Sequence, residues 1–373
     1  MDLTFMQKAY RVSSPVASVY INVSRDSADA EHAVGLRWRE ARSELRSQGA
    51  DEDTLRALDG VVGRSDGGSG AQGQVAFAGG GEVGFDALVA APPQDYAVRV
   101  GPLPDPLPYL RNRGRRVPHV AVLADSIGAD LVSVAASGAR RTDRVEGGDH
   151  PTHKVPGGGW KHKQMQRAVE EQVLKNARQV ASAVHERAQR DGAEVVVVAG
   201  EPGVVRDLVD HLPEGTRART VEAEAGSRAS GSDNAAFERE LDRVLEEHAD
   251  EGRRRVVDGF LEGRGTADRV TEGLEAVVAT LQRGQVDTLL WSAGADLRGE
   301  RLWSDPEGAR IALTERELLD LGAEEALEED AAPVLVRAAA QTNAELVFVP
   351  EDKVRLEGGV GALLRFSDPS LPT

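Results

Sequence analysis

The pattern of apolar and polar positions divides the chain into three segments, each of which alternates between strands and helices. The first segment opens with an alternating, β-branched stretch, Ala17–Val23, that predicts a strand. A polar stretch with apolar residues at helical spacing, Ala30–Gln48, predicts a helix. Glycine-rich turns then separate short predicted strands at Gly73–Ala78 and Glu82–Leu88. Five prolines in Gly101–Pro118 predict an inter-domain linker, because proline lacks a backbone donor and fixes φ.

The second segment has a clear helical periodicity between predicted strands. Strands are predicted at His119–Ala124 and, as its hairpin partner, at Ala129–Ala135, followed by a polar loop at Glu146–Gly159. Apolar residues then recur at spacings of three and four, which predicts a long helix: Met165, Val169, Val173, Ala177, Val180, Val184 and Ala188. A continuous valine strand, Glu194–Gly200, and a helix at about Gly203–His211 complete an α/β sandwich.

The third segment repeats the alternation of helix and strand. Its predicted elements are an acidic helix Asn234–Ala249, a helix at about Thr266–Gln282, a strand Val286–Trp291, a helix Ala332–Thr342, a strand Glu345–Val349 and a last strand near Val360–Phe366. The predicted fold class is therefore α/β (α+β), with three domains at residues 1–115, 116–248 and 249–373, each a mixed sheet packed with helices.

The amino-acid composition excludes several classes of function for this chain. The chain has 373 residues, of which 40% are hydrophobic and 29% charged, as expected for globular domains. It contains no apolar run of membrane-spanning length and no signal-peptide pattern, so we expect a soluble, cytoplasmic protein. The absence of cysteine excludes disulfides, thiolate zinc sites and thiol nucleophiles. A net charge of −17 disfavours non-specific binding of DNA or RNA, so a nucleic-acid role requires a local basic patch.

Such a patch lies between His150 and Val169, where the sequence has no Asp or Glu. Four of the six lysines of the chain fall in or just after this stretch, together with three of its eight histidines. The patch covers the loop and the first turn of the predicted long helix. Cations at a helix N-terminus face the positive end of the helix dipole and cost roughly 0.3–1 kcal/mol each. A bound polyanion removes that cost, because the dipole and the lysines then both face phosphate.

The patch contains the run Pro156-Gly157-Gly158-Gly159-Trp160. Three glycines allow close backbone approach, and a tryptophan at the tip of a basic loop can stack on a base. The alternative is a surface loop in which Trp160 only fixes the helix to the sheet. The histidines His150, His153 and His162 match no usual zinc spacing and have no carboxylate among them, so we expect no metal and no cofactor. Arg111, Arg113, Arg115 and Arg116 are open to two interpretations, a solvated hinge or a clamp on rRNA phosphates.

The second segment resembles the central domain of the archaeal and eukaryotic class-1 release factors and of Pelota. The shared order is hairpin strands, polar loop, Gly-Gly tip, long helix and a hydrophobic strand ending in Ala-Gly. In release factors the tip reads Gly-Gly-Gln, and its glutamine positions the water that attacks the peptidyl-tRNA ester. Here the triplet is Gly158-Gly159-Trp160, so that glutamine is missing. Gln164 and Gln166 come later, inside the predicted helix.

The resemblance extends over nearly the whole chain, although its motifs are short. Leu281–Leu290 is similar to the C-terminal domain of Pelota and the release factors, where a helix ends and a Val-Asp/Glu-Thr-Leu-Leu strand begins. Gly358–Phe366 is similar to the Gly-Ile-Ala-Ala-Ile-Leu-Arg-Phe ending of Pelota. Ser18–Ile21 looks like a divergent release-factor N-terminal domain without the Asn-Ile-Lys-Ser stretch that reads stop codons. Among bacterial relatives, the chain most resembles the Balon-type ribosome hibernation factors and their actinobacterial counterparts.

The resemblance implies a ribosome-binding translation factor that occupies the A site of the 70S ribosome, with its central-domain loop toward the peptidyl-transferase centre. It implies contacts with rRNA and ribosomal proteins, entry with elongation factor Tu, and protection of idle ribosomes under stress without enzymatic peptide release. The alternative is a peptidyl-tRNA hydrolase or ribosome-rescue release factor that uses Gln164 or Gln166; a small-molecule enzyme is less favoured, because no acid, base and nucleophile converge. The residues predicted to bind the ribosome are His153, Lys154, Pro156, Gly157, Gly158, Gly159, Trp160, Lys161, His162, Lys163, Gln164, Arg167, Arg113, Arg115 and Arg116.

Overall fold

A computed structural model describes residues 1–25, 29–64, 72–89, 92–113, 117–135, 140–147, 159–228, 234–266 and 269–366, with the backbone alone for residues 159–166 and 168. The chain forms two compact units: unit 1 consists of Met1–Arg115 and Gly252–Thr373, and unit 2 consists of Arg116–Glu251. Both units are mixed α/β, which confirms the predicted fold class.

The N-terminal part of unit 1 is a four-stranded antiparallel sheet in the order β3-β2-β1-β4. Its elements follow a 3₁₀ helix at Thr4–Tyr10 and are β1 (Val16–Asn22), α1 (Ala30–Ser47), α2 (Glu52–Asp59), β2 (Gly73–Gly79), β3 (Glu82–Val89), β4 (Tyr96–Gly101) and α3 (Leu107–Arg113). Part of the predicted linker is helical instead of irregular, because α3 lies inside it and buries Tyr109 and Leu110. Pro108 is compatible with this helix because it falls in the first turn, where backbone N–H groups have no helical partner.

Unit 2 is a five-stranded sheet in the order β7-β6-β5-β8-β9, in which β5, β8 and β9 are parallel. Its elements are β5 (His119–Ala124), β6 (Gly128–Val134), β7 (Arg140–Glu146), α4 (Gly159–Arg190), β8 (Val195–Gly200), α5 (Pro202–His211), α6 (Glu214–Arg217), β9 (Thr220–Glu222) and the first part of α7 (Ala235–Thr266).

The valines of strand β8 are buried on both faces of the sheet in unit 2. Val196 and Val198 pack in one core with residues of α4 and α5, whereas Val195 and Val197 pack in a second core with residues of α7. Successive strand residues point to opposite faces of a sheet, so a continuous apolar run requires cover on both sides. The result is the predicted α/β sandwich, with helices on both faces of the sheet.

The C-terminal part of unit 1 contains a second four-stranded sheet, in the order β10-β16-β11-β15, and a small sheet in the order β13-β12-β14. Its elements are β10 (Val270–Glu272), α8 (Leu274–Gln282), β11 (Val286–Ser292), β12 (Arg301–Ser304), β13 (Ile311–Ala312), α9 (Glu315–Asp320), β14 (Leu327–Asp330), α10 (Ala331–Gln341), β15 (Glu345–Val349) and, after a 3₁₀ turn at Glu357–Gly359, β16 (Val360–Leu364).

Two helix boundaries in this region differ from the predictions. The acidic helix predicted to end at Ala249 continues to Thr266 as α7. The helix predicted from Thr266 begins only at Leu274, because Val270–Glu272 pairs as a strand with β16. Gly273 separates the two elements with φ 87°, a left-handed conformation that glycine adopts readily and other residues rarely do.

The N-terminal and C-terminal parts of unit 1 share one hydrophobic core. Leu3, Met6 and Phe77 of the first part are buried with Trp291 and Leu335 of the second. The Gln7 side-chain amide donates to the carbonyl of Ala340 at 3.1 Å. Arg99 forms ion pairs with Glu329 and, at 3.3 Å, with Asp330. The predicted first and third domains therefore keep separate sheets within a single compact unit.

Candidate functional site

The predicted site lies at the beginning of α4 and in the residues before it. His150, His153, Lys154, Pro156, Gly157 and Gly158 lie outside the described residues, as do Arg115 and Arg116. For Gly159, Trp160, Lys161, His162, Lys163 and Gln164 the structure describes the backbone, which forms the first turns of α4. Arg167 is described completely, and its side chain is exposed. The structure therefore shows that residues 159–164 lie on a helix. The contacts of their side chains with a partner remain predictions.

The first turns of α4 concentrate positive charge. The helix runs from Gly159 to Arg190, and its first turn contains no acidic residue. Lys161 and Lys163 are its third and fifth residues, and Arg167 follows one turn later. The first four N–H groups of a helix lack helical acceptors and carry the positive end of the dipole. Backbone and sequence thus combine into an anion-binding end, suited to phosphate groups.

One buried amide fixes α4 to the sheet beside the end of β7. Asn176 is only 1% exposed, and its side-chain nitrogen donates to the carbonyl of Ser126 at 2.9 Å. Gln172 donates its side-chain amide to Asn176 Oδ1 at 2.8 Å. A Cβ on Gly147, the residue directly after β7, would lie 2.2 Å from the same oxygen. Gly147 directly precedes residues 148–158, so Asn176 packs against the residue at which the predicted loop follows β7.

Sequence reasoning missed this contact. Asn176 lies beside Ala177 and one turn after Val173, two residues used to predict the apolar face of the helix. Asparagine is a poor helix former, and a buried amide must find hydrogen-bond partners. A polar residue inside an apolar helical stripe was therefore the available signal, and its partners became visible only in three dimensions.

The later turns of α4 are held by apolar packing and ion pairs. Val180 and Val184 are buried in the core under the sheet. Arg187 pairs with Asp143 of β7 and lies 3.6 Å from the buried carboxylate of Asp191. Arg141 of β7 reaches the same Asp191 at 3.3 Å. The polar edge strand β7 is therefore attached to α4 by charge, which supports the root of the predicted loop.

A second charged cluster lies at the turn between β5 and β6. Arg228 contacts Asp125 Oδ1 at 2.7 Å and Asp130 Oδ1 at 3.3 Å, and Arg144 contacts Asp130 at 2.8 Å. Burial acts to raise the pKa of Asp130, but the hydrogen bonds from Arg144 and Arg228 outweigh it, so that the pKa is lowered. The carboxylates and guanidinium groups neutralise one another, which indicates a structural role for the cluster.

The basic run before unit 2 is partly integrated into unit 1. Arg113 lies over the ring of Phe5, with its guanidinium carbon 3.5 Å from the ring centroid, and Arg111 donates to the carbonyl of Ala295. Burial lowers the pKa of Arg113. A guanidinium stacked on an aromatic ring in this way stabilises its own domain. The position of Arg113 therefore weakens the hypothesis of an rRNA clamp at this residue.

The part of the chain that the structure describes contains no group of three or more His, Asp or Glu side chains placed to hold a metal ion. Among the described helices, none is both long enough and apolar enough to cross a membrane.

Known proteins resemble this chain at several levels. The model of a family described as bacterial archaeo-eukaryotic release factor family 2 matches residues 118–266. Uncharacterized proteins of two Mycobacterium tuberculosis strains are 28% identical over 362 residues, which is 95% of this chain and 94% of each relative.

Similar solved structures include Dom34 of S. cerevisiae, a translation termination-like factor interacting with Hbs1, at 12% identity and a TM-score of 0.44, covering 100% of this chain and 95% of Dom34. They also include archaeal Pelota from a model of ribosome-bound Pelota and ABCE1, at 18% identity and a TM-score of 0.43, covering 98% of this chain and 94% of Pelota. The match to the release-factor family model covers residues 118–266, the part of the chain that contains α4 and the predicted site.

Proposed function

We propose that this chain is a ribosome-binding translation factor that occupies the A site and protects the ribosome without releasing the nascent peptide. One observation carries the proposal. The stretch without acidic residues, 150–169, coincides with the first turns of α4 and lies in the segment that the release-factor family model matches. Lysines at the positive end of a helix favour a polyanionic partner, and rRNA is the polyanion of the ribosomal A site.

The missing glutamine favours binding over hydrolysis. Trp160 follows Gly158-Gly159 where release factors have the glutamine that positions water. Gln164 and Gln166 lie further along the chain, in the helical turns of α4, so neither occupies the third position of the tip. An indole ring can stack on a base, but it cannot position a water molecule as an amide does. Delivery of the chain to the ribosome by elongation factor Tu remains a prediction that rests on the family resemblance.

Sedimentation of the purified chain with 70S ribosomes at increasing salt tests the proposal. We expect Lys161→Glu/Lys163→Glu to weaken binding strongly and, if both lysines contact phosphate, to reduce the slope of log K against log salt by about 2. Lys353→Glu/Arg355→Glu is the matched control, because it changes the same charge at two exposed residues with the same spacing. This control variant should bind nearly as the unchanged chain does, and excess A-site tRNA should displace both proteins.

Failure of the unchanged chain to sediment with ribosomes at low salt would falsify the proposal. The same preparations distinguish the protecting role from the alternative. If the purified chain releases peptide from stalled ribosomes, and Gln164→Ala or Gln166→Ala abolishes the release, the chain is a rescue hydrolase. An intact peptidyl-tRNA ester in the presence of bound protein supports protection without release.

A further inference from the structure

A cleft of about 470 Å³ lies beside strand β1 in the N-terminal part of unit 1. Successive side chains of a strand point to opposite faces of the sheet. Ala17, Val19 and Ile21 of β1 pack in one core with residues of α1 and α2, so Ser18 and Tyr20 lie on the other face, where they line the cleft. Most of the other lining residues are apolar or aromatic, among them Val75, Val89, Pro92, Pro93 and Tyr109. A cleft of this size, with an apolar lining and a few polar groups, can hold a small molecule.

Asp105 is anchored at this cleft by its backbone. Its N–H donates to Ser18 Oγ at 3.0 Å, and its carbonyl accepts from the Tyr20 hydroxyl at 2.6 Å. That hydroxyl also accepts from the N–H of Tyr109 at 3.4 Å. Ser18 is only 1% exposed, so the anchor lies inside the fold. Asp105 is thereby fixed as one of the two charged residues that line the cleft; the other is Arg99.

The carboxylate of Asp105 has unused capacity for hydrogen bonds. It accepts a hydrogen bond from the N–H of Leu107, whereas an ionised carboxylate offers about four acceptor sites. No lysine or arginine in the part of the chain that the structure describes forms an ion pair with Asp105. Burial raises the pKa of this carboxyl group, and the opposing effect of Arg99 is smaller. A partner with a positive charge would therefore stabilise the ionised form.

Arg99 does not supply that charge, because it is already paired. It forms ion pairs with Glu329 and, at 3.3 Å, with Asp330. The side chain of Glu329 is only 1% exposed, so withdrawing Arg99 from it would leave a buried charge without its partner. The charge of Arg99 is thus neutralised within the protein, and that of Asp105 is not. The lining of the cleft is left with a net negative charge.

The lining selects the chemistry of an occupant. Phosphate groups are repelled by the carboxylate, and one carboxylate is too few for a calcium ion, which takes six to eight oxygen ligands. An organic cation meets both features of the cleft. Its charged head can pair with Asp105, and aromatic rings such as those of Tyr20 and Tyr109 attract cations and cover an apolar stem.

We propose that this cleft binds the alkylguanidinium or alkylammonium group of a ligand, with the charged head on Asp105 and the apolar stem against Tyr20 and Tyr109. The inference goes beyond the proposed function and does not depend on it, because the binding site is complete within the N-terminal part of unit 1.

Calorimetric titration of the full chain with butylguanidinium chloride tests the inference, with butylurea as a neutral compound of nearly the same shape. We expect butylurea to bind about tenfold more weakly or worse, because it lacks the charge-assisted bond to the carboxylate. Asp105→Asn should weaken binding of butylguanidinium by a similar factor, since asparagine keeps the shape and can still accept from Leu107. Asp53→Asn is the matched control: it makes the same change at an exposed residue of α2, and α2 packs on the opposite face of the sheet. It should bind as the unchanged chain does.

A second measurement locates the bound cation. The chain has four tyrosines, of which Tyr20 and Tyr109 line the cleft. With ring-labelled tyrosine, the butyl protons should show nuclear Overhauser effects to these two rings and none to Tyr96. The peptide acetyl-Gly-Arg-Gly-amide presents the same charged group on a backbone. Tighter binding of the peptide assigns the site to an arginine of a protein, and tighter binding of butylguanidinium assigns it to a free small molecule.

Three results would overturn the inference. The first is no binding of butylguanidinium to the unchanged chain, and the second is equal binding of butylguanidinium and butylurea. The third is equal binding by the unchanged chain and Asp105→Asn, because the cation would then be held elsewhere on a chain whose net charge is −17. If Asp105→Asn unfolds at a lower temperature, the two compounds compared on the unchanged chain and the Overhauser effects still decide. None of these measurements uses ribosomes, so failure of the cleft and failure of the proposed function are distinguishable.

Discussion

The helices α4 and α7 have the same length, 32 residues, but differ in the charged residues near their N-termini. The first turn of α7 contains Glu238, and that of α4 contains no acidic residue. Along α7, Arg243 pairs with Glu240 at 2.7 Å and with Glu247 at 2.6 Å. The side-chain hydrogen bonds to Glu240 and Glu247 raise the pKa of Arg243. The charged residues of α7 are thus placed where they stabilise a helix. The lysines at the start of α4 are placed where they oppose the helix dipole.

Helix stability alone therefore does not explain the sequence at the start of α4. The chain contains 62 acidic residues, yet none of them lies in the first turn of α4. The cationic turns instead belong to a helix that Asn176 fixes to the turn before β6 and packs against Gly147, the residue after β7. A feature that opposes local stability and stands on a rigid support is typical of a binding site. Three measurements test this difference between α4 and α7.

The largest expected effect concerns the support of α4. Gly147→Ala places a Cβ 2.2 Å from Asn176 Oδ1, so either the Asn176 side chain shifts and loses its hydrogen bonds or the end of β7 moves away from α4. We expect the free energy of unfolding to fall by roughly 1–3 kcal/mol, measured by urea denaturation. Gly203→Ala is the control, because a Cβ there meets nothing within 4 Å and lies in α5, where alanine favours the helix. Equal stability of the two variants would contradict the supporting role of Asn176.

The second effect has opposite signs for stability and binding. Lys161→Glu/Lys163→Glu replaces cations by anions at the positive end of α4 and should stabilise the helix by about 0.3–1 kcal/mol per residue. The same variant should lose affinity for the ribosome. Thermal unfolding and sedimentation measured on one preparation check both signs. A variant that loses stability together with affinity would indicate that the lysines serve the fold rather than a partner.

The smallest effect belongs to α7. Arg243→Ala removes two exposed ion pairs and should lower the free energy of unfolding only slightly, because water screens such pairs. The difference from the unchanged chain should shrink further in about 1 M salt, where the Debye length is only about 3 Å. Arg239→Ala, at an exposed residue without an ion pair in the described part of the chain, is the control. A larger cost for Arg243→Ala would mean that the charges of α7 carry more of the fold than the comparison assumes.

The sequence predicted the regular elements of the chain well where one physical signal dominated. The strands His119–Ala124 and Glu345–Val349 have the predicted bounds, because apolar runs between polar turns leave little choice of register. The long helix was predicted from its stripe of apolar residues and is confirmed as α4. In each case the residues that decide the element lie within it.

Elements that depend on distant partners escaped prediction. The strand β7 is mostly polar, and it forms because it pairs with β6 and because Arg141 and Asp143 find partners on and beside α4. The prolines before α3 indicated irregular chain in the predicted linker, whereas burial of Leu110 in the shared core fixes a helix in its middle. Likewise Asn176 was invisible as a support, since Ser126 is fifty residues away along the chain.

The shared core of unit 1 also sets an expected order of events during synthesis. Unit 2 is continuous in sequence and can fold as soon as it has left the ribosome. The N-terminal part emerges earlier, but Leu3, Met6 and Phe77 must wait for Trp291 and Leu335 before their common core closes. We therefore expect the N-terminal part of the nascent chain to remain incompletely packed until nearly the whole chain has been translated. Chaperones that shield apolar surface would act on this protein during that interval, and a fragment ending before α8 would lack the C-terminal partners of Leu3, Met6 and Phe77 in the shared core.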